Sequence, residues 1–122
     1  MIQLLTHVDI IDNSGGKTGQ CIKILKPAGR KYAILGDEIL VTIKKESNTG
    51  KVKKGTVHRA LIVQTKKGLV KGGKNYGQWS KNSVVLIKGD TPIGTRIRGG
   101  VSRYIKRLER GKKISALARY HG

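Results

Sequence analysis

Residues 51–68 read KVKKGTVHRALIVQTKKG, an apolar run between two Lys-Lys-Gly turns. At the centre of the run, ALIV (60–63) leaves no polar face, and SVVLIK (83–88) is apolar on both faces in the same way. Short apolar runs bounded by turn residues are typical of strands buried on both sides. We therefore predict that both segments are walls of a β core. The lysine pairs could provide solubility, a nucleotide-binding loop or grips on a long anion.

Neighbouring segments alternate with the two-residue period of strands. EILVTIKK (38–45) places Ile39, Val41 and Ile43 on one face, and CIKILK (21–26) follows a similar pattern. Glycine-rich breaks that each contain a lysine separate these strands: NSGGKTG, KPAGRK, ESNTGK and KGGKNYG. Short strands with such turns favour an antiparallel barrel or sandwich.

The C-terminal end has a helical period instead. VSRYIKRLER (101–110) spaces Val101, Tyr104, Ile105 and Leu108 along one apolar stripe. Gly111 is a predicted helix stop, and KKISALA (112–118) a further short turn. We therefore predict a helical C-terminal element over about residues 101–118 of a single domain, 1–122.

The charge of the chain indicates its class of partner. Twenty-six Lys and Arg residues stand against seven Asp and Glu residues in 122, a formal net charge of +19. Such an excess predicts contact with a polyanion. A membrane is the weaker alternative, because no apolar stretch approaches the ~20 residues that span a bilayer. The single cysteine, Cys21, suits a reducing compartment and is expected to be a small buried side chain.

Two catalytic interpretations fail on residue spacing. SGGKTG (14–19) ends like a phosphate-binding loop, but Ile11 stands where its first glycine belongs, and the following QCIKILK is strand-like. GKVKKGT (50–56) has Thr56 in place of the loop lysine. The three histidines are scattered and the acids form no close pair, so we predict no enzyme activity, no metal site and no cofactor.

Nucleic-acid binding is the function that the basic residues favour. The chain has no Phe, four Tyr and one Trp, which is poor in the aromatic platforms that single-strand binders use. Its lysines and arginines cluster at turns and strand ends. This distribution is typical of phosphate contacts on folded, double-helical RNA or DNA.

The ordered motifs of the whole chain resemble one family, the universal large-subunit ribosomal protein fourteen family in its bacterial or organellar form. The motifs that carry the resemblance are MIQ (1–3), DNSG (12–15), CIK (21–23), GD (36–37), TIK (42–44), GKVKKG (50–55), RALIVQTKKG (59–68), NSVVL (82–86), PIGTRIRGGVSR (92–103) and KISALA (113–118). They cover nearly the full length.

The resemblance implies a mostly β fold: a small five-stranded antiparallel β-barrel with a projecting β-ribbon and a short C-terminal helical element. It implies a structural protein that binds large-subunit rRNA and packs on neighbouring large-subunit proteins. It also implies an intersubunit face that meets small-subunit rRNA and a ribosome-silencing factor. By motif, that face would contain Thr95, Arg96, Lys113 and Ser115. The candidate rRNA-binding residues are Lys17, Arg30, Lys31, Lys51, Lys53, Lys54, Lys66, Lys67, Arg98, Arg103, Lys106 and Arg107.

Some segments depart from the family pattern. Gly16 follows DNSG where the family usually has Ala, and GLVKGGKNYGQWSKN (68–82) and the RYHG terminus are altered. These differences favour an organellar ribosome, with a mitochondrial source ahead of a bacterial or plastid one, and no import presequence is visible. The alternative is an architectural nucleic-acid-binding protein acting outside the ribosome.

Overall fold

The computed structural model describes residues 2–25, 32–47, 50–66, 69–71, 74–76, 81–89, 91–98, 100–102, 104–105, 108, 111–117 and 120–121. The strands within these ranges are β1 (His7–Ile10), β2 (Gly16–Ile24), β3 (Glu38–Glu46), β4 (Val57–Gln64), β5 (Leu69–Lys71), β6 (Lys74–Tyr76), β7 (Ser83–Lys88), β8 (Thr91–Pro92), β9 (Gly100–Val101) and β10 (Tyr120–His121). The helix α1 spans Lys112–Leu117.

Strands β1, β2, β3, β4 and β7 close into a barrel. They are hydrogen-bonded in that order, and β1 also pairs with β7, which completes the ring. The short strand β8 extends the sheet beyond β7, and β5 and β6 pair with each other as an antiparallel ribbon. The predicted five-stranded barrel is confirmed.

The closing pair differs in direction from the other four. Asp9 lies opposite Ser83 and Ile10 opposite Val84 in a parallel arrangement, whereas the remaining barrel pairs are antiparallel. The cause is geometric, because strand direction cannot alternate all the way around a ring with an odd number of strands. The predicted antiparallel barrel therefore contains one parallel seam.

The apolar runs of β4 and β7 are explained by two cores, one on each face of these strands. Inside the barrel, Ala60 and Ile62 of β4 pack in one cluster with Val84 and Leu86 of β7. The intervening side chains belong to a second cluster under the C-terminal segment; they are Leu61, Val63, Val85 and Ile87. Each strand is covered on both sides, as the sequence predicted. Cys21 of β2 is fully buried in the first cluster, as expected.

The C-terminal segment covers the barrel with the predicted apolar residues, in a partly different conformation. Tyr104 and Ile105 are helical and buried, and Leu108 packs against the same cluster. Val101 is buried there too, but the prediction of helix at this position is wrong. It lies in β9, where its partner is His121 of β10. The later part of the predicted element contains α1, whose Ile114 is fully buried.

Gly111 directly precedes α1 at a point of close backbone contact. Its amide donates to the carbonyl of Leu108 at 3.0 Å. A Cβ at this position would lie 2.2 Å from the carbonyl oxygen of Ile105. Position 111 therefore requires a residue without a side chain. No helix within the described ranges combines the length and apolar character needed to cross a membrane.

Candidate nucleic-acid interface

The loop of residues 12–15, here called the DNSG loop, connects β1 to β2 and is organised by a buried carboxylate. Asp12 is 3% exposed. Its Oδ1 accepts hydrogen bonds from the amide and the hydroxyl of Ser14 at 3.1 and 2.5 Å, and its Oδ2 accepts one from the Leu86 amide at 3.0 Å. Burial raises the pKa of Asp12, although these bonds and the charge of Arg98 act in the opposite direction. The carboxylate ties the loop to β7.

Asn13 ties the same loop to the segment PIGTRIR (92–98). Its Oδ1 accepts from the amides of Thr95 and Arg96 at 2.7 and 3.0 Å, and its Nδ2 donates to the Thr95 hydroxyl at 3.0 Å. Its own amide donates to the Arg96 carbonyl at 3.1 Å. The backbone of the 95–96 turn is thereby fixed, while both side chains remain exposed.

Ser14 and Gly15 bind the lysine-rich segment GKVKKG (50–55). The Ser14 carbonyl accepts from the amides of Lys51 and Val52 at 2.8 and 3.1 Å. Gly15 and Gly50 touch so closely that a Cβ on Gly50 would lie 1.9 Å from the Gly15 Cα. Three motifs that are far apart in sequence therefore meet at one loop.

Arg98 is held beside β1 by two hydrogen bonds. Its amide donates to the Ile11 carbonyl at 2.6 Å, and its guanidinium Nη2 donates to the Ile10 carbonyl at 3.0 Å. A cleft of about 190 Å³ lies next to the DNSG loop, with Lys17, Gly50 and Arg98 among its lining residues. Cations with a fixed backbone around a cleft suit the binding of an anion.

Most predicted binding residues within the described ranges are exposed. They are Lys17, Lys51, Lys53, Lys54, Lys66, Thr95, Arg96, Arg98 and Lys113. Ser115 differs, since it is 5% exposed in α1. Lys53 lies 4.0 Å from a carboxylate oxygen of Glu46. The predicted residues Arg30, Lys31, Lys67, Arg103, Lys106 and Arg107 lie outside the described residues.

The DNSG loop gathers only part of the predicted set. Lys51, Arg96 and Arg98 are bonded to it or to the neighbouring strand, and Lys17 follows it in β2. Lys66 lies elsewhere, where its amide donates to the Asn82 side chain at 2.9 Å.

Sequence reasoning missed two cations, Lys45 and Lys81, that line clefts near the barrel seam. Neither belongs to a motif that points to them. Lys81 is distant in the chain from the other basic residues of those clefts, and only the β1–β7 pairing places it there.

The family model described as Ribosomal protein L14p/L23e matches residues 1–121. The chain belongs to this family. The match covers almost all of the 122 residues, so the barrel, the DNSG loop and the C-terminal segment are all parts of one L14p/L23e fold. The resemblance inferred from the motifs is confirmed.

Membership of the L14p/L23e family gives the chain a structural role in the large ribosomal subunit, and places it in the ribosome. The family is one of structural proteins and not of enzymes. It also implies contact with rRNA and with other ribosomal proteins.

Proposed function

We propose that the chain binds large-subunit rRNA through the basic residues gathered at the DNSG loop and through the lysine-bearing turns beside it. The observation that supports the proposal is the convergence of two distant motifs, GKVKKG and PIGTRIR, on the DNSG loop. Lys51 is bonded to this loop, and Lys17 and Arg98 line the cleft beside it. The backbone amides of Lys51 and Arg98 are hydrogen-bonded in place, and the side chains of all three residues are exposed. Such cations neutralise phosphates without reading sequence. The remaining basic residues predicted from the sequence would add contacts of the same kind.

The proposal includes an intersubunit face formed by Thr95, Arg96, Lys113 and Ser115. Arg96 supports it best, because Asn13 binds both its amide and its carbonyl and leaves the side chain exposed. Lys113 is also exposed, whereas Ser115 is buried, so we propose a supporting role for it rather than direct contact. The proposed partners across this face are small-subunit rRNA and a ribosome-silencing factor. A mitochondrial ribosome is the proposed setting, on the basis of the altered 68–82 segment and the high charge.

Sedimentation tests the ribosomal part of the proposal. The tagged chain should co-migrate with large subunits and stay bound through washes at moderate salt, because packing against neighbouring proteins supplements the salt-sensitive phosphate contacts. Migration with free nucleic acid outside the ribosomal fractions would contradict it and favour the extra-ribosomal alternative. Repeating the experiment with isolated organelles tests the mitochondrial setting.

Charge reversal tests the intersubunit face. The variant Arg96→Glu/Lys113→Glu should enter large subunits normally but impair subunit joining or silencing-factor binding. The matched control is Lys44→Glu/Lys88→Glu, which makes the same charge change at two exposed strand residues. A defect in large-subunit assembly greater than the defect in joining would refute the position of the face. So would equal joining defects in the two variants.

A further inference from the structure

Three clefts lie along the β1 side of the barrel, and the first is the cleft of about 190 Å³ beside the DNSG loop. The second, of about 540 Å³, is lined by residues that include Lys17, Gln64, Lys81 and Arg98. The third, of about 600 Å³, includes Lys45, Lys66 and Lys81 in its lining. Each cleft thus has at least two cations in its wall.

The clefts adjoin one another, because neighbours share lining residues. Lys17 and Arg98 line both the first and the second cleft. Asp9 and Lys81 line both the second and the third. The β1 residues that line the second cleft include Asp9 and Ile10, and those that line the third include His7 and Val8. The depression therefore follows the strand. We call this depression the seam track, and its cations are Lys17, Lys45, Lys66, Lys81 and Arg98.

The fold fixes the backbones of three of these cations, Lys45, Lys66 and Arg98. Asn82 accepts the Lys66 amide at its side chain and the Asp9 amide at its carbonyl, at 2.9 and 3.0 Å. Lys45 is paired with Thr18 across β2 and β3. The two hydrogen bonds of Arg98 to the end of β1 hold its guanidinium at the track. Five separate chain segments therefore supply the cations of the track.

Acidic residues in the track reduce this charge only in part. The Asp9 carboxylate lies 3.5 Å from the ammonium of Lys81, and both side chains are solvent-accessible. Asp12 borders the first cleft, but it is buried and its oxygens are occupied by Ser14 and Leu86. Five cations face one accessible carboxylate.

We propose that the seam track binds the phosphodiester backbone of double-helical RNA. The proposal rests on the rRNA-binding function above and specifies where one such contact lies. The described walls of the three clefts carry no Phe, Tyr or Trp, so they offer no platform for stacking single-stranded bases. Lysines and an arginine along a series of adjoining clefts provide contacts to successive phosphates.

A charge-neutralising double variant tests the track. In Lys17→Gln/Lys81→Gln, the full-length chain should bind an RNA duplex of about 20 base pairs, roughly two helical turns, more weakly at every salt concentration. The slope of log affinity against log salt should decrease by about 2, or about 1 for each phosphate that the variant no longer neutralises. The matched control Lys44→Gln/Lys88→Gln removes two exposed lysines that line none of the three clefts, and its slope should stay near that of the wild type.

Removing the accessible acid tests the same site with the opposite sign. Asp9→Asn should strengthen duplex binding several-fold and steepen the salt slope, because a carboxylate no longer competes for Lys81. The comparison variant Glu38→Gln also removes one negative charge, at a carboxylate that pairs with Arg59 away from the track. Equal effects of Asp9→Asn and Glu38→Gln would overturn the proposal, since only net charge would then matter.

Two further probes identify the source of the bound phosphate. Inorganic phosphate at matched ionic strength should displace little duplex, and single-stranded polyuridine should bind more weakly than the duplex. Tight binding of inorganic phosphate, or a preference for polyuridine, would overturn the assignment to a double-helical backbone. If the wild type co-sediments with large subunits while both double-lysine variants bind the duplex equally, the track is refuted and the ribosomal function stands. If the wild type neither co-sediments nor binds the duplex, both proposals fail.

Discussion

Asp12 is almost completely buried, and three donors are directed at its carboxylate, as is usual for a buried charged group. The two hydrogen bonds from Ser14 stiffen the loop itself, and the one from Leu86 links the loop to β7. Burial nevertheless dominates and raises the pKa of this carboxyl. Burying the negative charge is unfavourable, but the hydrogen bonds of the carboxylate hold the DNSG loop in place. Lys51, Arg96 and Arg98 lie on the segments beside that loop.

The raised pKa of Asp12 predicts a pH-dependent stability. The folded state holds this proton more tightly than the unfolded state, so the free energy of unfolding falls as pH rises from the ordinary value of 3.8 through the raised pKa, and is constant above it. The decline is about 1.4 kcal/mol for each unit by which the pKa is raised.

Urea unfolding of the wild type and of Asp12→Asn over this pH range isolates the effect, since the variant has no proton to lose at this position. The stability of the wild type relative to the variant should decrease with rising pH. An increase would contradict the assignment.

Two glycines in one turn region should respond differently to alanine. At Gly50 a Cβ would lie 1.9 Å from the Gly15 Cα, backbone against backbone, so Gly50→Ala should cost about 3 kcal/mol or more of unfolding free energy. Gly55 has a φ of +86° and no atom within 4 Å of its Cβ position, so Gly55→Ala should cost only the conformational strain of about 1–2 kcal/mol. Chemical denaturation compares them. Equal losses would show that the Gly15–Gly50 contact is not tight.

At the scale of elements, the C-terminal segment is as much a part of the core as the barrel strands are. Leu61 and Val63 of β4 are covered on the outer side by residues such as Ile105 and Ile114. Without this cover, β4 and β7 would expose an apolar face. The short helix α1 therefore contributes to stability through packing more than through its own helical propensity.

Two adjacent residues of α1, Lys113 and Ile114, should differ in how much each contributes to stability. Ile114→Ala removes a fully buried side chain and should lower the unfolding free energy by about 2–5 kcal/mol. Its exposed neighbour allows a matched control, because Lys113→Ala should change stability by no more than about 0.5 kcal/mol. Thermal or urea unfolding measures both. A large loss in Lys113→Ala would contradict its position on a free surface.

The strands were predictable from the sequence where the signal is local. ALIV and SVVLI had to be covered on two sides, and they are. The spacing of Val101 to Tyr104 and Ile105 predicts a helix, but strand pairing with His121 makes Val101 part of β9 instead. Lys81 was missed for the same reason, since its position beside Lys17 and Arg98 depends on the seam. Local period predicts elements, whereas contacts between distant segments decide their ends and the composition of the site.

At the scale of the whole molecule, the net charge of +19 exceeds what solubility requires, for which a magnitude of roughly 2–8 suffices. The excess positive charges repel one another in the isolated protein, and the negative charge of an RNA surface reduces this repulsion. The lysine turns on either side of β4, at Lys51–Lys54 and at Lys66, are fixed by different partners, Ser14 and Asn82. They remain predicted as two separate grips on a large RNA.

This distribution predicts strongly salt-dependent RNA binding. If ~6–10 phosphates are contacted, the affinity of the isolated chain for rRNA should fall ~10³–10⁵-fold between about 50 and 200 mM salt, because bound counterions are released on association. Filter binding or fluorescence anisotropy across this range gives the slope. An affinity that is flat in salt would rule out the electrostatic mechanism.

The parallel seam also has a consequence for how the chain is made. Asp9 and Ser83 are neighbours in the barrel, but more than half of the chain separates them. During synthesis β1 therefore emerges long before the strand that will cover its open edge. Contacts of such long range form slowly, and unpaired edges invite association with other chains. The nascent N-terminal strands would remain exposed until β7 leaves the ribosome, and closure of the barrel becomes the late, committing step of folding.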